Sequence, residues 1–125
     1  MHRRNRIGRI PLGVAALALA LAAFAGVGLR SASASSVAIT MIQCDSGLNH
    51  FSCDGYVTGG APPYTFTWQN QWGTTIQGQD DGYDSSTTYG TCGTGYDSLN
   101  LTVRDSVGNT VTKGKTFYCY RTSGP

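Results

Sequence analysis

The chain has 125 residues and a net charge of +2, with nine Lys and Arg, seven Asp, 17 Gly and four Cys. That length allows one small domain and excludes a multidomain enzyme. Arg3, Arg4, Arg6, Arg9 and Arg30 lie in the first 34 residues, so residues 35–125 set four basic side chains against seven Asp, a charge of −3. No basic run there can follow a phosphate backbone, which excludes nucleic acid as a partner.

Met1 to Arg9 holds four arginines and no acid, Ile10 to Leu29 is an uncharged apolar run, and Ala32-Ser33-Ala34 places small residues at a cleavage site. This predicts a helical signal peptide over residues 1–34, because arginines stay inside while an apolar helix enters the translocon. An uncleaved anchor is the alternative, but Pro11, Gly13, Gly26 and Gly28 interrupt the run. The Arg3-Arg4 pair lacks the apolar residues that follow a twin-arginine signal, so the general secretory route is expected. The product is then a secreted, extracellular domain over 35–125 that leaves the membrane on cleavage.

Those 91 residues are about one third apolar, and a domain of that size is marginal on burial alone. Cys44, Cys53, Cys92 and Cys119 all fall within it, and an even count in a small exported chain reads as two disulfides. Zinc is disfavoured, because no Cys-x2-Cys knuckle occurs and His50 is the one histidine beyond the leader.

Thr is abundant, Glu is absent, and short alternating segments are punctuated by Gly, Asp, Asn and Pro. This is an all-β pattern. Strands are predicted over Ser36–Gln43, Phe51–Thr58, Tyr64–Asn70, Asp97–Asp105 and Thr110–Tyr120, with weaker ones within Thr74–Gln79 and Thr87–Cys92. About seven strands suggest a two-sheet antiparallel sandwich. Leu99, Leu101 and Val103 alternate with polar residues, as do Tyr64, Phe66 and Trp68, so these two strands are expected at the centre. Asp105-Ser106-Val107-Gly108-Asn109 suits a tight reversal between the last two strands. In the last strand Lys113 and Lys115 share a phase with Val111, Phe117 and Cys119, which predicts an edge strand protected by charge, with Gly114 as a bulge.

Cys44 ends the first predicted strand and Cys53 opens the second, while Cys92 precedes the sixth and Cys119 closes the seventh. Hairpin geometry therefore favours Cys44–Cys53 and Cys92–Cys119 over the other two connectivities, which remain open. Both bridges would lie at one end of the sandwich, with the opposite end unstapled.

The segment Tyr56-Val57-Thr58-Gly59-Gly60-Ala61-Pro62-Pro63-Tyr64-Thr65-Phe66-Thr67-Trp68, with Leu99, Thr102, Val103, Asp105, Gly108 and Asn109, resembles the immunoglobulin-like PKD (polycystic kidney disease) superfamily and its relatives in bacterial surface proteins. The resemblance implies an immunoglobulin-like sandwich in which Gly-Gly turns the chain, the prolines fix a corner, Trp68 fills the core, and Asp105 with Gly108 shapes a turn. The family's Trp-x-Phe-Gly-Asp-Gly segment appears here as Trp68-Gln69-Asn70-Gln71-Trp72-Gly73-Thr74, longer and without the acid. The four cysteines are more similar to small secreted actinobacterial proteins of this type. These motifs mark a fold and assign no site.

Catalysis needs a base near neutrality, and His50 is the one candidate, in a Gly47-Leu48-Asn49-His50 turn. Asp80, Asp81 and Asp84 lack the spacing of a calcium loop. No enzymatic activity, metal or cofactor is expected. The leading expectation is a monomeric module binding an extracellular protein through the unstapled end, with Pro62 and Pro63. A second is polysaccharide binding through Trp72, Tyr118 and Tyr120, with Tyr83, Tyr89 and Tyr96 near loops. A third is protease inhibition by the loop closed between Cys44 and Cys53.

Overall fold

In the computed structural model, which describes residues 35–124, the alternating segments become seven strands. They are β1 (Ala38–Gly47), β2 (His50–Thr58), β3 (Thr65–Trp72), β4 (Thr74–Asp81), β5 (Ser85–Cys92), β6 (Gly95–Arg104) and β7 (Thr110–Cys119). One antiparallel sheet has the order β1-β2-β5-β4 and the other β3-β6-β7. The predicted signal peptide over 1–34 lies outside the described residues.

The core forms where the inward phases of the two sheets meet. Phe51, Cys53 and Val57 of β2, with Ile39 and Ile42 of β1, face Phe66 and Trp68 of β3 and Leu99, Leu101 and Val103 of β6. Phe51 and Phe117 pack with ring centroids 5.5 Å apart. The indole of Trp68 lies over small residues of the opposite sheet: a Cβ added at Gly55 would come within 3.1 Å of its ring, and its Nε1–H donates to Ser86 Oγ at 2.9 Å. A large side chain set against small ones keeps the layers at packing distance without voids. The Ser86 hydroxyl in turn donates to Asp81 Oδ1 at 2.6 Å, which satisfies the buried polar pair.

β6 is central, as expected, but β3 is an edge strand. Alternation in Tyr64, Phe66 and Trp68 reports one buried face, not the number of hydrogen-bonded neighbours. β5, a weak segment in the sequence, is central in its sheet. Its inward residues are Ser86, Thr88, Gly90 and Cys92, so its burial has no hydrophobic alternation to announce it.

β7 is an edge strand carrying its lysines, Lys113 exposed and Lys115 half-buried. The expected bulge at Gly114 is absent, since β6 and β7 pair without a break from Gly95↔Cys119 to Arg104↔Thr110. Gly114 has another use. The Asn100 side chain lies across it, and a Cβ there would come 2.8 Å from Asn100 Oδ1. Register breaks fall instead in the other three edge strands, between Ile39 and Met41, Asn70 and Trp72, and Ile76 and Gly78, where a bulge discourages further pairing.

The disulfides are Cys44–Cys53 and Cys92–Cys119. β1 runs past Cys44 to Gly47, so Cys44 and Cys53 face each other in register across the β1–β2 ladder, with Cα atoms 4.1 Å apart. Leu48 and Asn49, at φ 54° and 57°, close this hairpin as a two-residue turn. Cys92 ends β5 and Cys119 ends β7, so the second bridge joins the two sheets. Both lie at the end carrying the β1–β2 and β5–β6 connections.

Candidate functional site

At the unstapled end the chain reverses through Gly59 and Gly60, at φ 71° and 66°, and enters a cis Pro62–Pro63 peptide. Both prolines are exposed. Tyr64 Oη donates to the Gly59 carbonyl at 2.5 Å. The buried Asp105 ties this corner to the β6–β7 turn. Its Oδ2 accepts from Ala61 N at 3.2 Å and Asn109 Nδ2 at 3.0 Å, and its Oδ1 from Val107 N at 3.2 Å and Asn109 N at 2.8 Å. Burial opposes the charge, but the hydrogen bonds from Asn109, Ala61 and Val107 outweigh it and hold the carboxyl below its ordinary value of 3.8.

The sign of the linkage follows from that shift. A carboxyl with a lower pKa in the folded than in the unfolded chain adds stability above the unfolded value, and loses it as pH falls through the folded value. Stability is therefore expected to drop as pH is lowered from about 4. Asp105→Asn is expected to be less stable at neutral pH and flatter below pH about 4, as read by urea unfolding at a series of pH values.

The aromatic candidates divide differently from their sequence positions. Strict alternation along β3 would turn Trp72 inward with Phe66 and Trp68. The irregularity after Asn70 adds one residue, so Asn70 pairs with Leu99 but Trp72 pairs with Ser98, on the outward phase. Trp72 is 74% exposed, and it belongs to a strand, not a loop. On the same outer face Tyr96 of β6 stands opposite Tyr118 of β7, with ring centroids 5.2 Å apart at 86°, and Tyr120 lies beside Tyr118 at 4.8 Å. Because Ser98 is two residues from Tyr96, Trp72 is the diagonal neighbour of Tyr96 across the β3–β6 pair, and Tyr118 lies one strand further on. Tyr96 is 72% and Tyr118 42% exposed.

Beyond these rings the outer face of the sheet is polar and nearly uncharged. Successive cross-strand rows are Gln69, Asn100 and Gly114, then Thr67, Thr102 and Thr112, and Arg104 stands at the far end. The hydroxyls of Thr102 and Thr112 are 2.8 Å apart. Lys113 and Lys115 are on the opposite phase of β7. Tyr83 sits in the β4–β5 turn and Tyr89 on the outer face of the other sheet, across Gly78.

His50 opens β2 in place of sitting in the turn. It is exposed, and its Nδ1 lies 2.8 Å from the Leu48 carbonyl. Asp81 is held by Gln79 and Ser86. Cys92 Sγ, Cys119 Sγ and an Asp97 carboxylate oxygen lie within 4.8 Å of one another, but both sulfurs are spent in the disulfide. Asp97 is 4% exposed, and its Oδ2 has no hydrogen-bond partner among the described residues.

Of the aromatic candidates the structure thus gathers Trp72, Tyr96, Tyr118 and Tyr120 on one face and sets Tyr83 and Tyr89 apart, while Pro62 and Pro63 stand at the other end. The polar run Gln69-Asn70-Gln71 after Trp68 is the one sequence signal of the register break, since an inward Asn70 does not suit continued alternation. No family model, characterised protein or solved structure matches the chain.

Proposed function

We propose that the chain is a secreted, non-catalytic immunoglobulin-like module that binds a neutral polysaccharide on the outer face of its three-stranded sheet. One observation carries this reading: Trp72, Tyr96, Tyr118 and Tyr120 share one end of a nearly uncharged face. Aromatic rings offer an apolar platform for the C–H faces of sugar rings, while threonine hydroxyls and side-chain amides supply hydrogen bonds without charge. Two disulfides accord with an extracellular location.

The strand order supports the immunoglobulin-like assignment, since β1-β2-β5-β4 over β3-β6-β7 has the connectivity of a constant-type immunoglobulin domain, with a buried Trp on the third strand. The bridges depart from that type. Cys53 on the second strand pairs within its own sheet, and the inter-sheet bond joins the fifth strand to the seventh.

Pull-down on cellulose, chitin and peptidoglycan tests the proposal. Trp72→Ala and Tyr118→Ala are each expected to weaken retention about 30-fold, the effect of a central aromatic anchor worth about 2 kcal/mol. Both residues are exposed, so the variants should fold as the parent does. Retention on none of these polymers would sink the reading. It would leave the protein-binding alternative, favoured by the rigid corner that Asp105 builds beneath Pro62 and Pro63.

A further inference from the structure

Tyr96 and Tyr118 stand directly opposite each other in the unbroken β6–β7 ladder. Side chains paired in this way leave one face of the sheet with Cβ atoms about 5 Å apart, and these two carry their ring centroids 5.2 Å apart with planes at 86°. In such an edge-to-face pair the rim of one ring, which holds its ortho carbons, is aimed at the other. Both side chains are exposed, so a dissolved oxidant reaches both phenols and the rings have room to turn.

The other exposed tyrosines lack this arrangement. Tyr83 sits in the β4–β5 turn, Tyr89 has Ser52 and Gly78 as its ladder partners, and Tyr56 has Met41 and Ser85. Tyr120 lies beside Tyr118 at 4.8 Å, but it is half-buried and follows the end of β7. Its backbone is also fixed, its N–H donating to Ser46 Oγ and its carbonyl accepting from Asn49 N. Two residues along one strand separate Cβ atoms by about 6.7 Å, more than the cross-strand spacing. Cysteine thiols, which would reduce a tyrosyl radical before it coupled, are all paired among the described residues.

We propose that Tyr96 and Tyr118 form a cross-linking site, joined as a dityrosine by a one-electron oxidant of the peroxidase class working with hydrogen peroxide. Each phenol gives up one electron and its hydroxyl proton, which leaves two phenoxyl radicals with the unpaired electron shared onto the ortho carbons. One ortho carbon of each ring then forms the new carbon–carbon bond, and the hydrogen each carried moves to oxygen and restores the phenol. Hydrogen peroxide takes up the two electrons and two protons and leaves as two waters, so the protein loses two hydrogens. Placing the partners on facing strands turns a collision between chains into an encounter within one, at an effective concentration far above that of the dissolved protein. The bond lies one residue from Cys119 and ties β6 to β7 through a link that thiols do not reduce. The proposal rests on ladder and ring geometry, and holds whatever this face binds.

Oxidation of the dilute, disulfide-intact protein with a haem peroxidase and hydrogen peroxide tests it. The expected product is a monomer lighter by two hydrogens, with dityrosine fluorescence, in a yield per chain that does not change on dilution. After disulfide reduction and trypsin digestion, the peptide 116–121 with Tyr118 should stay joined to the peptide ending at Arg104 with Tyr96. Tyr96→Phe and Tyr118→Phe keep the ring and remove only an exposed hydroxyl, so both variants should fold. Each is expected to lower the intramolecular yield at least about ten-fold, whereas Tyr83→Phe should lower only cross-links between chains. Cross-links confined to dimers, a yield that falls in proportion to dilution, or a peptide 116–121 linked only internally through Tyr120 would each overturn the assignment.

Discussion

Replacing Cys92 and Cys119 together by alanine is expected to destabilise the domain more than replacing Cys44 and Cys53. The closed loops span 27 and nine residues, for which loop-closure entropy in the unfolded chain gives about 3.6 and about 2.6 kcal/mol. Tertiary position widens the gap. Cys44 and Cys53 span a hairpin that a continuous ladder already closes, whereas Cys92–Cys119 joins the two sheets at strand ends. Cys119 is fully buried, and the buried carboxylate of Asp97 adjoins the bridge.

Two alanines there would leave a gap beside an unpaired polar atom, which adds to the entropic loss. A domain of 91 residues has roughly 5 to 13 kcal/mol of stability. A loss of about 4 kcal/mol is then a large share of it, and corresponds to a fall in Tm of about 15 to 30 °C. Thermal and urea unfolding of the two double variants, followed by circular dichroism, measures the difference. Equal losses would show that the inter-sheet position adds nothing to the loop-length effect.

The second large effect is expected where Leu101, Trp68 and Gly55 meet. Leu101 is fully buried at the middle of β6, so Leu101→Ala should cost about 2 to 5 kcal/mol through lost burial and the cavity left behind. Gly55→Ala inserts a methyl group where the Leu101 Cδ2 atom and the Trp68 ring already sit, and should cost about 1 to 3 kcal/mol by overpacking. The methyl of one variant occupies part of the space vacated by the other. The double variant should therefore lose less than the sum of the two singles by at least about 0.5 kcal/mol. Strict additivity in urea unfolding would contradict this packing.

Gly55 shows why parts of the fold were hidden in the sequence. A glycine inside Phe51-Ser52-Cys53-Asp54-Gly55-Tyr56-Val57 reads as a weakened strand position. Its purpose, to admit an indole and a leucine from the facing sheet, exists only after the sheets stack. β5 is similar, since Ser86 and Thr88 become interior residues because Trp68 Nε1 and the Gly78 carbonyl supply partners from other strands. The aromatic face was legible in residue type but not in placement. Tyr118 and Tyr120 are two residues apart and must share a face of one strand, whereas joining them to Trp72 required the register of β3 on β6.

By itself the sequence determined what local chemistry controls. Alternating apolar and polar residues made an all-β chain, Asp105 to Asn109 made a reversal, the lysines of β7 marked an edge, and the cysteine positions favoured the pairing that formed. Tertiary structure alone decided the neighbours: that β3 is an edge and β5 is central, that one extra residue after Asn70 turns Trp72 outward, and that Ser46 meets the backbone of Tyr118 and Tyr120 across the β1–β7 seam. The physical reason is that side-chain alternation is written within a strand, while register and sheet order depend on contacts between strands far apart in the chain.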